Sequence, residues 1–187
     1  MGEVLRLPAR GRVASPVPAG WAELHVHSSF SFLQGASDPE VLAAEAARLG
    51  VEVLAVTDRD GLYAARRLAS AARRHGLSAV YGAELSLPEP YGPVLVLARD
   101  LTGFTQLSAL ISAAQLAGAK QQPAHDPARL AGEVRDGHLA VLTGCPGAGA
   151  RRLETLLGLL GPEHLHAELI DHALPTDTPR NDALHTA

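Results

Sequence analysis

From Trp21 onward, short apolar runs alternate with longer stretches in which apolar residues recur every three or four positions. Residues 21–27 (WAELHVH) alternate apolar and polar side chains, the period of a half-buried strand. Residues 51–57 (VEVLAVT) are nearly continuous in apolar character, which suits a parallel strand covered on both faces. Residues 78–87, 94–98, 138–143 and 164–170 predict four more strands, making six. Helical spacing places helices over about 38–49, 62–75, 103–117, 128–135 and 150–160. Gly50 and Gly76 stand where two of these should stop, since glycine readily takes the left-handed cap conformation. At the first helix, either Ser37 caps with Glu40 completing a capping box, or Asp38 caps with Pro39 in the first turn.

Strands that alternate with helices predict an α/β fold with a mainly parallel sheet. In such folds chemistry gathers at the C-terminal ends of the strands. His25, His27, Asp58, Glu84 and Cys145 all stand at or near those ends. Residues 1–20 contain Pro8, Pro16 and Pro18 with Gly11 and Gly20, and read as an extended leader. The last sixteen residues are polar and lack a helical or strand period, so 172–187 reads as a tail.

Composition narrows the function. The chain has 187 residues, 47% of them hydrophobic, which suffices for one domain with a sizeable core. Net charge is −4, so no basic excess points to direct DNA binding by this chain. Cys145 is the only cysteine, which excludes an internal disulfide and fits a reducing cytoplasm. No apolar run has the length of a membrane span, and the N-terminus lacks the apolar core of a secretory signal.

His25 and His27, two apart on a strand, face the same way and can share a metal ion, or can be two hydrogen-bonded, inert side chains. Asp58 and Asp60 after the second strand can bind a cation, or can serve as turn and cap residues. Glu84 lies between apolar neighbours and needs a partner, for which a metal or an arginine would serve. Cys145 is either a thiolate ligand or a small buried apolar residue. His75, His125, His138, His164 and His166 have no ligand spacing.

Six segments together carry a family resemblance: AELHVHSSFSFLQGASDPE (22–40), LAVTDRDGLYAARRLA (54–69), AVYGAELSL (79–87), PVLVLARDLTGFTQLSALIS (93–112), LAVLTGCPGA (139–148) and HAELIDH (166–172). Their order and spacing resemble the PHP (polymerase and histidinol phosphatase) family, in the form that begins C-family bacterial DNA polymerases such as the polymerase III alpha subunit. The likeness is strongest to the error-prone, translesion branch. It implies a distorted (β/α)7 barrel over residues 21–171, incomplete because the last strand–helix unit would lie beyond Ala187. In active members, bound zinc or manganese ions hydrolyse phosphoesters.

Carried over by position, the resemblance makes His25, His27, Glu84 and Cys145 metal ligands, with Asp58 and Asp60 behind them. It also implies ligands at Gln34, Arg59 and Pro93, where the residues present are poor donors. The guanidinium of Arg59 has no lone pair to give, and pairing with Glu84 would let it replace a metal. The expected role is therefore structural: a partial metal site or none, no catalysis, and the remainder of the polymerase or other translesion proteins as partner. The alternatives are a metal-dependent phosphoesterase or proofreading exonuclease, and the orphan product of a truncated polymerase gene.

Overall fold

The computed structural model describes residues 20–144, 150–170 and 174–185. Residues 1–19, where the leader was expected, and Cys145 lie outside the described residues. The elements run β1 (Ala22–Glu23), α1 (Pro39–Leu49), β2 (Val53–Val56), α2 (Ala65–His75), β3 (Ser78–Ser86), β4 (Pro93–Ala98), α3 (Leu101–Ala117), α4 (Pro127–Val134), β5 (Leu139–Leu142), α5 (Ala150–Leu160), β6 (Leu165–His166) and α6 (Asp177–His185).

Local sequence accounts for the helix ends. α1 stops at Gly50 and α2 at Gly76, both left-handed, with φ of 83° and 71°. Pro39 sits in the first turn of α1 after Asp38, yet the Asp38 side chain makes no cap bond. Its carboxylate instead accepts from Ser29 Oγ at 2.6 Å and pairs with Arg67 at 3.1 Å. Asp100 and Asp126 do cap α3 and α4, accepting from the backbone of Gly103 and Ala128. The polar stretch expected to be a tail instead forms α6, pinned where Arg180 and Asn181 donate to the Ile170 carbonyl at 2.6 and 3.1 Å.

The six strands form one sheet in chain order. β1, β2 and β3 are parallel to one another, as are β5 and β6. β4 is antiparallel to both its neighbours; only the short 87–92 turn joins it to β3, too short for a parallel crossover. Its first residue therefore lies at the same end of the sheet as the last residues of the other strands. The outer strands are shorter than the alternation predicts, though pairing continues past β1 where the Thr57 amide donates to the Val26 carbonyl at 2.8 Å.

The sheet is strongly curled. Laid flat, six strands in this order would separate β1 from β6 by about 24 Å at the usual strand spacing. Yet His25, just past β1, and Glu168, just past β6, are in contact at 2.7 Å. A small apolar cluster lines the sheet interior: Ala55, Leu95 and Leu97 with Leu24, Val80, Ala140 and Leu142. Larger clusters lie under the helices. One joins α1 and α2 to the first strands through Ala43, Leu54, Leu68 and Ala71. The other joins α3, α4 and α5 to the later strands through Leu107, Leu130, Val141 and Leu156. Apolar interior, strands and outer helices together make an open α/β half-barrel.

Candidate metal centre

His25 and His27 leave β1 on the same side, and Glu84 projects from the last third of β3 toward them. His25 Nε2 lies 3.6 Å and His27 Nε2 3.8 Å from Glu84 Oε2. One donor atom from each residue lies within 4.8 Å of the others, a spacing that can hold a metal ion. The two rings meet edge to face with centroids 5.2 Å apart. Glu84 is 3% exposed, too buried for water to supply its partners.

Sequence reasoning did not single out Glu168. Its Oε1 accepts from His25 Nδ1 at 2.7 Å, and its own amide donates to Thr143 Oγ1 at 3.0 Å. In the neutral ring, a proton on Nδ1 held by Glu168 leaves the lone pair of Nε2 to a metal ion beside Glu84 and His27. A carboxylate behind a histidine is the usual support of a metal ligand, fixing both tautomer and ring orientation. Glu168 stands 143 residues from His25, and its only sequence signal is its place in the HAELIDH segment.

Charge in the cluster is unevenly shared. Burial alone would lower the His25 pKa, but hydrogen bonds and charge from Glu168 and Glu84 outweigh it and push it up to about 9. Burial lowers that of His27, and the Glu84 charge only partly offsets this. His27 Nε2 and Glu168 Oε2 are both buried without a hydrogen-bond partner among the described residues. A buried nitrogen left this way costs about 1–3 kcal/mol. Two imidazole nitrogens and a carboxylate suit zinc or manganese, and a cation between them would satisfy the orphaned His27 nitrogen. The donor set therefore fits a metal.

The other predicted residues take different places. Asp58 is buried and accepts from Ser28 N, Ser28 Oγ and Ser31 Oγ at 2.8, 2.7 and 2.7 Å, so it orders the loop after β1 instead of facing the triad. Asp60 adopts a left-handed φ of 51° and accepts from His125 Nε2 at 2.7 Å and the Ser86 amide at 2.8 Å. Burial alone would raise the Asp60 pKa, but these bonds outweigh it and hold it below the usual range. His125, which looks like an ordinary loop residue in the sequence, is thus the buried partner of Asp60 across 65 positions.

Arg59 does not pair with Glu84 as expected. The contact between them is a backbone bridge, and the guanidinium Nε donates to Ser86 Oγ at 2.8 Å with Asp60 3.8 Å away. Its side chain is 50% exposed, so it is not a buried charge either. β3 points Glu84 inward at this level, while Arg59 follows its loop outward. Arg59 and Gln34 line a cleft of about 740 Å³ together with Phe30, Phe32 and Tyr63. Pro93 opens β4 directly opposite Ser86, and its carbonyl accepts from Arg152.

Comparison with known proteins identifies the family and the fold. The PHP domain family model matches residues 23–174, and the chain belongs to that family. It is 45% identical to the error-prone DNA polymerase of Mycobacterium bovis over 95% of its own length and 18% of that protein. It is 44% identical to the error-prone DNA polymerase of Cutibacterium acnes over 88% of its length and 16% of that protein. The chain thus spans less than a fifth of these relatives. Among solved structures, a protein assigned as a metal-dependent phosphoesterase, from Bifidobacterium adolescentis, aligns with TM-score 0.59 and 13% identity over 90% of this chain and 83% of its own. An amidohydrolase from Chromobacterium violaceum, solved with sulfate and no metal, aligns with TM-score 0.55 and 16% identity over 78% of this chain and 75% of its own. At these identities the likeness establishes the fold alone.

Proposed function

We propose that this chain is the PHP module of an error-prone DNA polymerase, that it serves DNA replication and translesion repair by bracing the remainder of that polymerase, and that it lacks phosphoesterase activity of its own. The observation that carries the reading is the polymerase match: 45% identity over 95% of this chain, within 18% of the relative. Nothing in the composition favours direct DNA contact, since the net charge is −4. No helix among the described residues is long and apolar enough to cross a membrane, which accords with a place in the cytoplasm.

His25, His27 and Glu84 would hold one divalent ion, zinc or manganese, with Cys145 as a fourth ligand. Such an ion would supply Lewis acidity and a fixed positive charge at the mouth of the sheet. The protein's own groups argue for a bracing role over hydrolysis. Gln34 is exposed on the outer cleft, Arg59 has no lone pair, and the Pro93 carbonyl is taken by Arg152. Those three positions therefore offer no donor for a second ion, and among the described residues nothing replaces the paired charges that help stabilise a phosphoryl transition state.

The test is metal content after exposure to zinc or manganese, with hydrolysis of a generic phosphoester measured alongside. We expect about one ion per chain or fewer, and no turnover. Two or more ions per chain, with turnover that a chelator abolishes, would establish the phosphoesterase reading instead.

A further inference from the structure

α5 carries Arg152 in its first turn, and the side chain turns back to the mouth of the sheet. Nε donates to the Tyr91 carbonyl, and Nη2 donates to the Pro93 carbonyl and, at 2.9 Å, to the Thr143 carbonyl. Pro93 begins β4 and Thr143 follows β5. Regular pairing of those strands ends at Leu95 and Leu142, so the guanidinium spans the gap where they part. Glu84 pairs with Leu95, two residues along from Pro93, which puts the guanidinium roughly 7 Å along the strand from the triad's carboxylate position. The hydrogen-bond partners of Arg152 among the described residues are all main-chain carbonyls, so none of them carries an opposing charge; Glu89 and Glu84 act on it only through space. Across the β3–β4 pair, Arg59 donates to Ser86, the residue opposite Pro93. Two guanidinium groups therefore bracket one cross-strand pair above the triad.

We propose that Arg152 is a positioning residue that supplies a permanent second positive charge to this site, so that His25, His27 and Glu84 take up one divalent cation and disfavour another. The inference rests on the reading that the triad holds a metal ion. Among the described residues of the cluster, Glu84 and Glu168 together carry the charge of a single divalent ion. A further full charge fixed roughly 7 Å along the strand weakens the binding of that ion and opposes a second. Burial draws the basicity of Arg152 down while the charges of Glu89 and Glu84 act against that. The group stays protonated throughout the working range of the protein.

Isothermal titration of the full chain with zinc sulfate, with metal counted by mass spectrometry, tests this on wild type, Arg152→Gln and Arg152→Lys. We expect about tenfold tighter zinc binding in Arg152→Gln, because a like charge has been removed from a partly buried site. Lysine keeps the charge without the forked donors, so Arg152→Lys should bind zinc within about threefold of wild type. A purely structural arginine predicts the opposite sign, since loosening the loop would weaken binding. Unchanged or weaker zinc binding by a folded Arg152→Gln overturns the proposal. If that variant does not fold, Arg152→Lys decides: a change beyond about threefold overturns the proposal, and wild-type affinity upholds it. Tight zinc binding by wild type with either failure sinks only the role of Arg152. No zinc in any folded variant sinks the triad reading and this inference with it.

Discussion

At the scale of single residues, the site is a set of charges whose balance depends on pH. His25 has a folded pKa of about 9 against an ordinary 6.5. Its share of stability is therefore complete below pH 6.5 and is lost as pH rises through 9. A shift of this size corresponds to about 3 kcal/mol for a side chain with little exposure. His27 is shifted the other way, so its effect falls below pH 6.5 and leaves the upper window to His25. Urea unfolding of the metal-free protein should show midpoints that decline between pH 6.5 and 9, and Glu168→Gln should flatten most of that decline. Parallel curves for the two proteins would mean that Glu168 does not hold the His25 proton. Asp58 sets a second residue-level prediction. Asp58→Asn leaves three donors around a weaker acceptor in a buried place, and should cost about 2–4 kcal/mol by the same measurement. Arg59→Ala, by contrast, removes a half-exposed side chain and should cost less than about 1 kcal/mol, a shift in melting temperature of a few degrees at most.

At the scale of elements, helix boundaries were legible and strand direction was not. Gly50 and Gly76 announce the ends of α1 and α2 because few other residues accept a left-handed cap. α6 was missed because its residues DTPRNDALH show no apolar stripe, and tertiary bonds from Arg180 and Asn181 hold it in place. The reversal of β4 was visible only as a short Pro/Gly turn. The grouping of His25, His27 and Glu84 was legible only through the family resemblance, because a His-x-His pair or a lone acid in an apolar strand is by itself more often inert. Glu168, His125 and Arg152 were not, since their contacts span 143, 65 and about sixty positions and nothing local marks them. Arg59 shows the converse error: the right residue at the right loop, with its side chain turned the other way. α3 offers the element-level test. Gly103 lies in its first turn, where a Cβ would meet the His138 carbonyl oxygen at 2.1 Å. Asp100 fixes the same junction by accepting from the Gly103 amide at 2.9 Å and from His138 Nδ1 at 2.6 Å. Alanine is the better helix former by about 1 kcal/mol. Gly103→Ala should nevertheless lower stability by about 2 kcal/mol or more, because α3 must move away from the start of β5. A stabilised variant would show that α3 does not pack this closely.

At the scale of the whole molecule, the site also closes the sheet. β1 and β6 have two residues each and sit at the two free edges, the weakest places in the ladder. They meet through His25 and Glu168 at the sheet mouth. Opening that contact should loosen both edges together while the long β3–β4 pair, six residues in register, keeps its protection. The reporters are backbone amides that bond into the edge segments: Thr57 to the Val26 carbonyl and Thr143 to the His166 carbonyl. In Glu168→Ala, hydrogen exchange at both amides should speed up by about tenfold, equivalent to about 1.4 kcal/mol of local stability, with Val96 in β4 unchanged. Thr143 alone would respond if Glu168 merely orders its own strand, since its amide bonds directly to Thr143 Oγ1. A response at Thr57, on the far side of the sheet in sequence, requires that the contact carry load between the first and last strands. Zinc should then act in the opposite sense, slowing exchange at Thr57 and Thr143 together in wild type. A metal bound by His25, His27 and Glu84 would thus tighten the end of the barrel at which the sheet's edges meet.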